Sequence, residues 1–174
     1  MTYTGNVTKT GAGALTLSGA TNTGAGNFTL TGGTLNANSN GALGTGTFTI
    51  GTGTTLENSS AGSVTLTGGA NVWNGDFTYT GATQSLDLGT GAVILTASLQ
   101  ATVSAQTLAV GGAVGDGAST FGLTKAGAGT LVLNGNNNYD GTTALSAGTL
   151  TLGGNNTLSG AIIELRRRLR HLVP

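Results

Sequence analysis

The chain has no cysteine, so no disulfide can hold it together and its redox compartment is not written in it. Proline and methionine are down to one each, so Gly and Asn must make the corners. Aromatics are only 5% of residues, which leaves Leu, Val, Ile and Ala to build a core. Charged residues are 7%, against about 25% in ordinary soluble domains. Disorder needs low hydrophobicity together with high net charge, and here the net charge is zero and the mean hydropathy is +0.15. No apolar run approaches the roughly 20 residues of a membrane helix. The opening residues MTYTGNVTKT lack the apolar core of a signal peptide. The one histidine is His171, so Ser and Thr elsewhere have no base beside them, which argues against a hydrolase triad.

What fills the chain instead is 33 Gly, 33 Thr and 15 Asn among short alternating apolar pairs. Leu15/Leu17, Phe28/Leu30, Phe48/Ile50, Val93/Leu95, Leu108/Val110 and Leu131/Leu133 each recur at period two, the signature of a strand. Between them lie Gly/Asn stretches such as GANVWNGD and NGNNNYDG, suited to tight corners. One segment appears twice, as KTGAGALTLSGATNTGAGNFTLTGGTLNA from Lys9 and as KAGAGTLVLNGNNNYDGTTALSAGTLTLGG from Lys125. A repeated unit buries its apolar side against its neighbours. A sandwich or closed barrel has no need of such a repeat.

The expectation is therefore all-β: a right-handed parallel β-helix, or β-solenoid, of about seven or eight coils at about 20–25 residues each. Inward Leu, Val, Ile and Phe form one continuous core, Asn stacks in ladders, and Thr lies outward. Open ends invite self-association. Two regions are expected, a solenoid over 1–160 and a basic amphipathic tail over 161–174. In the tail, Ile162, Leu165, Leu169 and Leu172 mark one face of a helix opposite the arginines. Three readings of it stay open: a cap helix, a vector or frame-shift scar, and a segment that binds an anionic surface. Residues 1–160 hold two lysines against five carboxylates, so there is no basic stripe for nucleic acid.

The strings GLTKAGAGTLVLNGNNNYDGTTALSAGTLTLGG, Gly122 to Gly154, and NSNGALGTGTFTIGTGTTLE, Asn38 to Glu57, resemble the passenger-associated transport repeat of bacterial autotransporters. The Lys-x-Gly-x-Gly-x-Leu-x-Leu-x-Gly opening with its Gly-Thr-Leu close carries most of that likeness. The resemblance implies a parallel β-helix displayed outside a Gram-negative cell, secreted or at the surface. It implies passage through an outer-membrane translocator barrel of the parent protein, secretion assisted by folding outside the cell, and a role as adhesin, aggregation factor, protease or esterase; with no catalytic constellation in the residues, the role expected is structural or adhesive and non-enzymatic. A host or cell-surface glycan or protein is the partner expected, and no cofactor is.

Candidate sites are few. Trp73 and Tyr79 are the candidate ligand contacts, although core packing explains an aromatic in either place equally well. Asp76 and Asp87 form a carboxylate pair in sequence, but no basic residue lies near to tune them. Asp116, in GGAVGDGA, is similar to half of a calcium-binding repeat but lacks tandem copies, and reads as a loop residue. Thr-x-Thr pairs such as Thr47/Thr49 and Thr78/Thr80 suggest ice binding if equally spaced; their intervals vary, which favours ordinary solvated strand faces.

Overall fold

The computed structural model describes residues 4–19, 22, 24–160 and the backbone of 162–164. Among these residues there are nineteen short strands, β1 to β19 in chain order, and no helix. They form three sheets. The first face stacks β1 (Val7–Lys9), β3 (Phe28–Leu30), β5 (Phe48–Ile50), β8 (Asn71–Trp73), β11 (Val93–Leu95) and β14 (Val114–Gly115). The second stacks β2 (Ala14–Leu17), β4 (Thr34–Ala37), β6 (Thr54–Glu57), β9 (Phe77–Tyr79), β12 (Leu99–Val103), β15 (Leu123–Ala126), β17 (Thr143–Leu145) and β19 (Ile162–Glu164). The third stacks β7 (Val64–Thr65), β10 (Leu86–Asp87), β13 (Thr107–Val110), β16 (Thr130–Leu133) and β18 (Thr149–Leu152).

Neighbours in all three sheets pair in parallel, so the chain winds as a β-solenoid. It makes about six turns, slightly fewer than the seven or eight expected. Dividing length by repeat overcounts, because the end levels carry strands on only one or two faces.

Parallel register places like over like. Leu86, Leu108, Leu131 and Leu150 make one inward column of the third face. Leu15, Leu35 and Leu56 do so on the second face, and Phe28 meets Phe48 edge-on at 6.0 Å on the first. Leu30, Leu35, Ile50, Leu108 and Leu131 have no exposed surface. Each such side chain contributes about 1.5–3 kcal/mol by leaving water. Leu15 and Leu150, at the two ends, pack against the core but stay partly exposed.

The tail begins as strand. Ile162 to Glu164 pair with β17 where a helix was expected to start, because the last level of the second face offers an open edge of backbone donors and acceptors. Leu165, Leu169 and Leu172 lie outside the described residues, as does His171.

The two repeat copies do not occupy equivalent faces. In the first, Lys9 ends β1 on the first face and Leu15/Leu17 follow on the second. In the second copy, Lys125 sits in β15 on the second face and Leu131/Leu133 follow on the third. Each copy spans four strands, more than one coil, and the solenoid places its lysine corner at two different edges. Its corner needs glycine. Gly11 and Gly127 take φ +73° and +80°, where a side chain would be strained, and a Cβ on Gly127 would strike the Val103 carbonyl one coil below.

Candidate functional site

Lys9 and Lys125 both turn inward at these corners. The Lys125 ammonium donates to the carbonyls of Ala126 at 2.7 Å, Gly127 at 2.8 Å and Ala147 at 3.2 Å. Lys9 donates to Thr10 at 2.8 Å, Gly11 at 2.7 Å and Gly32 at 2.9 Å. Each lysine therefore spends all three N–H donors. Two go to its own corner and the third to the corner of the next coil. Lys125 has no exposed surface. Burial lowers its pKa to about 8. The Lys-x-Gly motif was visible in the sequence; its inward direction was not, because lysine is normally a surface residue.

The candidate ligand contacts lie elsewhere than a surface. Trp73 and Tyr79 are fully buried. Trp73 packs edge-on against Phe77 at 5.0 Å, and the Tyr79 hydroxyl donates to the Gln84 carbonyl. Neither side chain reaches a ligand outside, so the surface-contact reading is corrected: both are core residues, because their strands point them inward. Burial, together with the Glu57 charge, raises the Tyr79 pKa. Glu57 itself is buried and accepts from the amides of Asn58 and Ala82.

Asp76 and Asp87 do not form a pair. Asp76 lies at the entry of β9 on the second face and accepts from the Gln100 amide at 2.7 Å, one coil on. Asp87 lies on the third face and caps its own turn through Gly89 N at 2.8 Å. Asp116 is more than a loop residue. It is buried, follows β14, and accepts from the amides of Phe121 at 2.9 Å and Asp140 at 3.2 Å through one oxygen. Its other oxygen has no partner. Among the described residues no cluster of three His, Cys, Asp or Glu side chains could hold a metal ion.

Threonines do stack in register. Thr34, Thr55, Thr78 and Thr102 form a column up the outside of the second face. The column ends on Ala14 and Ala126, and the column beside it runs Asp76, Gln100, Thr124 and Ala144 at its nearest levels. One row of hydroxyls is not a flat lattice. The Asn ladder appears in part, as Asn137 donates to Asn156 at 2.6 Å and accepts from Val114 N at 3.0 Å.

A polar cleft of about 410 Å³ lies at the entry edge of the second face. Asp76, Gln100, Thr120, Thr124 and Thr142 line it.

Residues 7–37, 123–151 and 145–163 match the family model described as passenger-associated-transport-repeat. No curated protein and no solved structure matches the chain. The first two matched stretches each carry one lysine-clamped corner.

Proposed function

We propose, on the premise that residues 7–37, 123–151 and 145–163 match the passenger-associated-transport repeat, that the chain is a stiff structural segment of a secreted or surface-displayed Gram-negative passenger. Its role is to hold an adhesive surface away from the cell and to assist export by folding outside. The observation that carries this is the lysine clamp. A coil that arrives is fastened to the one before it by backbone ladders and, at two corners, by an ammonium that bridges both. Each added coil buries apolar surface that the unwound chain exposes, so winding is downhill and supports movement outward. No cofactor enters that mechanism, and the reading is non-enzymatic.

The test is export of the chain fused ahead of an outer-membrane translocator barrel. Lys125→Ala and Gly127→Ala are expected to lower the fraction displayed at the surface in step with their loss of stability. Gly62→Ala, in open space with an ordinary backbone, leaves both unchanged. Full display of a variant that no longer folds would remove the export-assisting role. Ice binding finds less support than adhesion, since only single threonine columns are in register.

A further inference from the structure

The cleft on the second face is built by an insertion. Between the first and second faces the chain usually turns in three residues, as at 74–76 and 96–98. Between β14 and β15 it takes seven, 116–122. The longer corner overhangs the outer surface of the second sheet and supplies Thr120 and Gly122 to the cleft wall. Insertions in solenoid repeats collect on one side, commonly the binding side.

This corner is pinned at a cost. Asp116 stands one place after Gly115, which pairs with Ile94, so its level in the core is the one Leu95 fills a coil below. A buried leucine there is free of polar demands. Asp116 instead buries a carboxylate with one oxygen unpartnered, and its other oxygen holds Phe121 N and Asp140 N. Burying a carboxylate this way is unfavourable for the fold. Departures of that kind concentrate where a loop must keep a set shape for binding.

The lining defines the ligand. The hydroxyls of Thr120, Thr124 and Thr142 have no hydrogen-bond partner among the described residues. Gln100 uses its amide nitrogen on Thr102, which leaves its oxygen as an acceptor. Asp76 uses one oxygen on the Gln100 amide, which leaves the other. These groups come from four successive levels of the second face, at a coil rise of about 4.8 Å. The row suits a narrow, extended ligand laid along the axis. Asp76 is the only charged lining residue, and no cation is there to receive an anion.

We propose that this cleft binds an uncharged oligosaccharide lying along the solenoid axis, with adjacent sugar hydroxyls on Asp76 and the chain continuing over Gln100, Thr124 and Thr142. This rests on the adhesive part of the proposed function and names its partner class. Without an aromatic platform in the lining, one site binds weakly, and many copies at a surface supply the avidity.

The experiment is saturation-transfer NMR, followed by titration, on the whole chain. The probes are neutral oligomers of one to four sugars from chitin, β-glucan and mannan, with oligogalacturonate as the acidic control. At least one neutral series is expected to bind at millimolar concentration and more tightly with length, and oligogalacturonate more weakly. Asp76→Asn, which keeps the acceptor for Gln100 N, and Thr124→Val are each expected to weaken binding about tenfold, the scale of one lost hydrogen bond. Thr55→Val, on the same face beyond the cleft, leaves it unchanged. The proposal fails if no neutral series binds. It fails also if both cleft variants bind like the unmodified chain, or if Thr55→Val weakens binding as much as they do. Such a failure leaves the export assay unaffected, so the two readings fall separately.

Discussion

The ammonium of Lys125 reaches the carbonyl of Ala147, 3.2 Å away and one coil further along. That contact joins two corners through a side chain with no exposed surface. Removing it strands three carbonyls and leaves a void where the stem lay. Lys125→Ala is expected to cost about 3 kcal/mol, the scale for buried acceptors left without a donor together with the void left by the stem. Lys9→Ala is expected to cost less, since Lys9 is partly exposed at the end of the stack. Denaturant unfolding of both variants checks the order; equal losses would contradict it.

The same lysine gives an alkaline signature. Its pKa falls from 10.5 unfolded to about 8 folded. Between those values the unfolded chain binds the extra proton, so stability from this group rises with pH and is lost as pH falls towards 8. Tyr79 and Tyr139 act oppositely. Burial raises both, so above about pH 10 the unfolded chain releases their protons first and stability falls. The melting temperature is expected to climb from pH 7.5 to about pH 10 and then drop. In Lys125→Met the climb disappears while the drop remains. A monotonic fall in the unmodified chain would refute the assignment.

Corner glycines differ among themselves. At Gly127 and Gly148 the backbone is left-handed, and a Cβ would run into the carbonyls of Val103 and Gly127 respectively. Alanine at either is expected to cost about 2 kcal/mol or more, since strain and collision add. Gly62→Ala is expected to be neutral within about 0.5 kcal/mol. Thermal melts of the three variants measure the contrast.

One core residue is a poor choice for stability. Asn71 stands in register between Phe48 and Val93, and its amide nitrogen has no partner. Asn71→Val removes a buried unsatisfied donor and continues the apolar column. A gain of about 1–2 kcal/mol is expected. A loss on unfolding by urea would mean that the amide has a partner of its own inside the solenoid.

The period-two pairs, the glycine corners and the repeat were enough to specify parallel winding, because each is a local pattern that only stacking can satisfy. They placed Leu131 and Leu108 inside correctly. They could not say which face a repeat copy would occupy, since Lys9 and Lys125 share a motif and sit on different sides. Nor could they separate a buried Trp73 from an exposed one, because packing and ligand stacking use the same ring. The cleft was invisible for a similar reason. Asp76, Gln100 and Thr124 are brought into one column, with Thr142 beside it on the next level, by the lengths of the corners between them. The sequence alone settled what each strand buries, through alternation. Only the tertiary structure decided which residues become neighbours along the axis, because that depends on the length of every corner between them.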